Sequence, residues 1–135
     1  FFAKQLKEEN IILTASDSFK EHIISIKEPT LYTVMINIIN NAVYWLRNSE
    51  KREIRFDYLK ENKEILILNS GRKIEEHRLT KIFDLFYSNR PTGRGIGLYL
   101  AKQTLNENYF DIEATNHRKY NYLNGACFVI KPLSN

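Results

Sequence analysis

Between Leu31 and Leu46 the apolar residues fall at positions 31, 34, 35, 38, 39, 42, 45 and 46. Steps of three and four keep them on one stripe of a helix, so the pattern predicts an α-helix over 31–46. Pro29 stands just upstream, where a first turn tolerates proline because that N–H would be unpaired anyway. "NIILTA" (10–15) and "HIISIK" (22–27) are short β-like runs flanking a polar stretch. "REIRFDYL" (52–59) and "EILILN" (64–69) bracket "KENK" and predict a hairpin. A second helix is expected from about 95 to 107, with Leu98, Ala101, Thr104 and Leu105 on one side. Strands near 109–115 and 125–131 close the chain.

This order implies an α+β fold. We expect a two-layer α/β sandwich whose mixed, mostly antiparallel sheet is covered by helices on one face. No segment repeats and none is of low complexity. Segment 72–92 is polar apart from "IFDLF" (82–86), and compact domains seldom leave such a length without structure unless it has a function. Held between Gly71 and a glycine cluster, it is read as a mobile lid.

Composition narrows the class. A chain of 135 residues with 43% hydrophobic and 27% charged residues suits one domain with its own core. The net charge of +4 suits an anionic ligand, but the basic residues form no long patch, which argues against nucleic acid. The single cysteine, Cys127, excludes an internal disulfide and a cysteine-rich metal site; within "ACFVI" it reads as a core residue. No apolar run approaches the roughly 18 residues of a membrane span. A cytoplasmic location and no membrane contact are therefore expected. The chain opens on Phe1-Phe2 without an initiating methionine, as a piece of a longer protein would.

Three stretches carry candidate chemistry. "GRGIG" places Gly93, Gly95 and Gly97 just before the second helix. Glycines let backbone amides approach a ligand, and a helix start there favours phosphate, although such glycines also form ordinary turns. The spacing matches neither a P-loop nor GxGxxG. Asn37, Asn41, Tyr44 and Asn48 line one edge of the first helix, beside its apolar stripe. Asparagine is a poor helix former, yet its amide can ligate Mg²⁺ or reach phosphate; a solvated polar edge is the plainer alternative. In "ILILNSGRKI" (65–74), an apolar strand ends in Asn69-Ser70-Gly71. A polar side chain there can offer an acceptor to a flat heterocycle, or simply end a strand.

Taken together, these stretches resemble the ATP-binding domain shared by sensor histidine kinases and the gyrase, Hsp90 and MutL ATPases. The resemblance covers about residues 28–131. "NIINNA" (37–42) is similar to the N box, "NSGRKI" (69–74) to the G1 box, "IFDLF" to the F box and "GRGIGL" (93–98) to the G2 box. "GACFVIKP" (125–132) is similar to the glycine-led last strand of the kinase domains. The resemblance implies the Bergerat-type ATP-binding fold, with ATP and Mg²⁺ as cofactors.

Carried over by position, it makes Asn41 the Mg²⁺ ligand. Asn37 stands where hydrolysing relatives carry a glutamate base. Asparagine accepts no proton near neutral pH, which favours the kinase branch over an ATPase. Arg90 is placed to pair with the γ-phosphate. Asn69, Gly71, Ile74, Gly93, Gly95, Gly97 and Leu98 fall on the nucleotide-binding boxes, and Phe83 and Phe86 on the aromatics that pack the lid against the core. Two departures stand out: Asn69 replaces the aspartate that accepts the adenine amine, and Lys73 replaces the second glycine of its box. Tyr44 stands where kinases commonly carry a basic residue.

The expected activity is transfer of the γ-phosphoryl group of Mg-ATP to a histidine elsewhere. None of His22, His77 and His117 lies in the helical hairpin that would present an acceptor. Residues 1–9 are read as the tail of a preceding helical region and 10–135 as the catalytic domain. The implied partners are ATP or ADP, an upstream histidine-bearing hairpin with its dimer mate, and a response-regulator-like protein. The alternatives are a regulatory ATP-binding module with little transfer, and an ATPase.

Overall fold

The computed structural model describes residues 3–25, 29–87 and 96–133. Its strands are β1 (Ile12–Ala15), β2 (Glu53–Leu59), β3 (Glu64–Asn69), β4 (Phe110–Ala114) and β5 (Cys127–Pro132). Its helices are α1 (Ala3–Glu8), α2 (Asp17–Ser25), α3 (Pro29–Leu46) and α4 (Gly97–Glu107). The five strands form one sheet in the order β1-β2-β3-β5-β4. β1 runs parallel to β2, and the other neighbours are antiparallel. This is the mixed, mostly antiparallel sheet expected.

Helix α3 forms because its apolar stripe has a sheet to cover. Leu31, Val34, Met35, Ile38, Ile39, Ala42, Val43 and Leu46 are buried along it, while Trp45 stays half-buried. They meet Ile54, Phe56, Ile65, Ile67, Ile112, Phe128 and Ile130 from the sheet and Ala101 and Leu105 from α4. Each large side chain so buried contributes roughly 1.5–3 kcal/mol.

One expected strand is a helix. Residues 22–25 of "HIISIK" belong to α2, and Ile26 and Lys27 lie outside the described residues. Ser16 Oγ accepts a hydrogen bond from Phe19 N at 3.1 Å, capping the first turn. Phe19 and Ile23, one turn apart, then face the core, and Phe19 stacks on Phe56 at 5.1 Å between ring centroids. The cap and a period of four override the short β-like run.

β3 is buried on both faces. Ile65 and Ile67 join the helical core, whereas Leu66 and Leu68 pack with Cys127 and Val129 on the far side. Leu123 and Tyr120, from the chain joining β4 to β5, cover that far cluster. An unbroken apolar strand such as "ILIL" needs this second cover. At its start Glu64 is 7% exposed and accepts bonds from Tyr120 Oη at 3.1 and 3.0 Å.

Candidate functional site

β3 ends at a polar residue that is almost wholly enclosed, Asn69 at 3% exposure. Its N–H donates to Ala126 O at 2.9 Å, carrying the sheet ladder to the strand's last residue. Its Oδ1 accepts from Gly71 N at 2.9 Å and from Ala126 N at 3.4 Å. The first contact closes an Asx turn, which bends the chain out of the sheet.

Two glycines make that bend possible. A Cβ on Gly71 would stand 3.1 Å from Asn69 Oδ1, 3.2 Å from Leu46 Cδ2 and 3.5 Å from Trp45 O. The turn therefore presses against the last residues of α3. Gly125 is tighter still, since a Cβ there would overlap the Asn69 carbonyl oxygen and lie 2.8 Å from Gly71 N. Asn69, Gly71 and Gly125 thus lock the ends of β3, β5 and α3 together.

On α3, Asn37 and Asn41 are half-buried one turn apart, and neither side chain hydrogen-bonds to another described residue. Tyr44 is half-buried and meets Trp45 edge-on, with centroids 5.0 Å apart and an interplanar angle of 88°. Asn48 does not continue this edge. The helix ends at Leu46, and Asn48 is exposed in the turn that follows.

The F-box residues part company. Residues 76–78 and 81–83 form two 3₁₀ turns, so segment 72–87 has more structure than its polarity suggested. Phe83 is buried, edge-on to Phe128 at 6.3 Å, with Lys102 Nζ 5.2 Å above its ring. Phe86 is 70% exposed and corrects the expectation that both aromatics pack on the core. The backbone turns left-handed there, at φ 67, and carries the ring away. Ile74 packs against the core as a half-buried residue.

Arg90, Gly93 and Gly95 lie outside the described residues. Gly97 opens α4, and a Cβ on it would meet nothing within 4 Å, so packing does not demand glycine there. Leu98 follows, half-buried against the core. Among the described residues no side chain caps the start of α4, and uncapped first-turn amides suit an anion. Lys73 is exposed.

Among the described residues no group of three or more His, Cys, Asp or Glu could hold a metal ion. An asparagine amide oxygen such as that of Asn41 is of the hard oxygen type that suits a divalent cation which keeps few protein ligands. Burial pushes the Cys127 thiol up to about 12, and it takes no part in the site. His22 stacks on Tyr58 at 3.6 Å, and burial lowers its pKa. His77 and His117 are exposed.

Two asparagines that sequence reading passed over support the site. Asn121, buried at 4% exposure, donates from Nδ2 to Gly125 O at 2.7 Å and so holds Gly125 against Asn69. Asn116 Nδ2 donates to Ile74 O at 2.6 Å, tying the β4–β5 connection to the chain beyond Gly71. In "NHRKYNYLNGA" both read as ordinary turn residues; no local signal separates them from the rest.

A helix-covered mixed sheet, with half-buried asparagines on α3 and a glycine-containing turn set against the end of that helix, is an arrangement found in known proteins. Residues 26–134 match the model of the histidine kinase-, DNA gyrase B- and HSP90-like ATPases, and the chain belongs to that family. It is 31% identical over 101 residues to the signal transduction histidine-protein kinase AtoS of Escherichia coli, spanning 74% of this chain and 16% of that protein. The catalytic domain of the histidine kinase ThkA superposes with a TM-score of 0.69 at 21% identity, covering 97% of this chain and 84% of that one. The mycobacterial sensor histidine kinase MprB does so with a TM-score of 0.66 at 17% identity, over 96% and 87% of the two chains. These structural likenesses establish the fold. The chain thus spans about a sixth of the curated relative it matches.

Proposed function

We propose that this domain binds Mg-ATP between α3 and the Asn69–Gly71 turn and donates the γ-phosphoryl group to a histidine elsewhere in a histidine-kinase-like protein. The observation that carries this reading is the close approach of Gly71 to the end of α3, where an added Cβ would stand 3.2 Å from Leu46 Cδ2 and 3.5 Å from Trp45 O. It joins the turn that would hold the base to the helix that carries Asn37 and Asn41. Magnesium, when bound, neutralises charge on the transferring phosphoryl group. The Asn41 amide oxygen would ligate it, and the amides at the start of α4 would receive the phosphates. Arg90 would pair with the γ-phosphate, and the segment 72–92 would serve as the lid over the nucleotide.

Asn37 decides between acceptors. Water must lose a proton to attack well, and an amide cannot take it. A neutral imidazole attacks through a nitrogen lone pair and needs no base beforehand. The residues present therefore suit transfer to histidine better than hydrolysis. The acceptor sits on a helical hairpin outside this domain, paired with a second copy, and a response-regulator-like protein receives the phosphoryl group in turn. ThkA, a structural neighbour, is known in complex with the response regulator protein TrrA. The domain works in the cytoplasm; among the described residues no helix is long and apolar enough to cross a membrane. A second reading, a regulatory module with little transfer, draws on the atypical Asn69 and Lys73.

Titration calorimetry with ATP, with and without Mg²⁺, tests the site. Affinity should rise with Mg²⁺ in the parent chain, and Asn41→Ala should remove that rise. An unchanged metal dependence in the variant would overturn the assignment of Asn41.

A further inference from the structure

The short connection from α3 to β2 holds the turn that follows β3. Ser70 N donates to Glu53 O at 3.0 Å. Ser70 Oγ donates to Lys51 O at 2.9 Å and accepts from Glu53 N at 2.8 Å. Ser70 stands between Asn69 and Gly71, so residues 51 and 53 grip the turn proposed to hold the base.

Arg52, between those two residues, grips other parts of the chain with its side chain. Nε donates to Ser49 O at 3.0 Å and Nη2 donates to Arg47 O. Both carbonyls lie just past the end of α3, where the negative end of a helix favours a cation. Nη1 donates to Glu9 O at 2.7 Å, 43 residues away in the chain between α1 and β1. The Glu9 carboxylate pairs with Arg47 at 3.2 Å and stands 3.9 Å from Arg52. Ile12 N donates to Arg52 O at 2.9 Å, closing the link to β1. A guanidinium serves these three oxygens from three nitrogens in a fixed plane. A lysine ammonium carries its three donors on one nitrogen and cannot span them.

We infer that Arg52 is a positioning residue for the nucleotide. It fixes the connection that sets α3, with Asn37 and Asn41, against the Asn69–Gly71 turn, and it ties that setting to the chain around Glu9. This rests on the proposal that Mg-ATP lies between α3 and the turn. Arg52 acts through its neighbours 51 and 53 and through Ser70. A ligand held at two walls depends on their spacing, whereas a ligand held at one wall does not.

The test compares Mg-ATP with Mg-tripolyphosphate, which has phosphates but no base. Both are titrated calorimetrically into the 135-residue chain and Arg52→Lys, below the melting temperature of each. Mg-ATP should bind Arg52→Lys about tenfold more weakly than the parent, and tripolyphosphate should stay within about twofold. A second measurement needs no variant. Amide exchange at Asn10, Ile11 and Ile12 of the parent should slow when a non-hydrolysable ATP analogue is added, because coupling between two places runs both ways. Unchanged Mg-ATP affinity in Arg52→Lys, or an equal loss for both ligands, would reduce Arg52 to a support of the fold and overturn the inference. Unchanged exchange at residues 10–12 would overturn it too, and decides the matter if Arg52→Lys does not fold or tripolyphosphate does not bind. Failure of the parent chain to bind Mg-ATP would overturn the nucleotide-binding reading itself, and the inference with it.

Discussion

Gly125 lies flat against the backbone carbonyl of Asn69, and no side chain fits between them. Gly125→Ala should therefore push β5 away from the end of β3 and break the Ala126 N to Asn69 Oδ1 contact. Overpacking of this kind costs about 1–3 kcal/mol, and here the obstacle is backbone, which cannot yield as a flexible side chain can. A thermal melt should fall by several degrees, and nucleotide affinity should fall with it. Gly97→Ala is the control for the melt alone, since a Cβ there meets nothing within 4 Å. Equal melting of Gly125→Ala and the parent chain would mean that the strand ends are not locked as described.

Segment 72–92 should respond to nucleotide. Its described part is anchored by the buried Phe83 and by the Asn116 bond to Ile74 O, while Phe86 is left exposed. Hydrogen exchange should slow beyond Phe83 when a non-hydrolysable ATP analogue is added, with little change at the anchor. Identical exchange in both states would count against a lid.

Acid should weaken the α4–β4 contact. Burial by itself raises the Asp111 carboxyl, but bonds from Lys102, Asn106 and Ile112 N outweigh it and hold the pKa below the ordinary 3.8. Lys102 Nζ stands 2.8 Å from Asp111 Oδ1. A depressed folded-state pKa stabilises fully above the unfolded value and loses that contribution as pH falls through the folded one. Asp111→Asn should thus be less stable than the parent chain at pH 7, with the gap closing as the pH drops below 3.8. Urea titrations at several pH values measure it; a gap independent of pH would assign Asp111 no ionic role.

The sequence by itself determined the helical layer and most of the sheet. The stripe at 31–46, the hairpin 52–69 and the apolar run before Pro132 each carry a period that burial on one sheet demands. The family boxes were legible because they occur together and in order; taken singly, Asn37, Asn41, Asn69 and Gly71 also suit a polar helix edge or a strand end. Other features depended on contacts far apart in the chain. Whether 22–25 was strand or helix turned on a cap at Ser16 and a partner at Phe56. The exposure of Phe86 followed from a left-handed backbone turn that an "IFDLF" pattern does not encode. The direction in which the Asn69 amide points was decided by Gly71 and by Ala126, 57 residues away along the chain. A side chain's polarity is written in the sequence, but the direction in which it is turned is settled only by the neighbours it bonds.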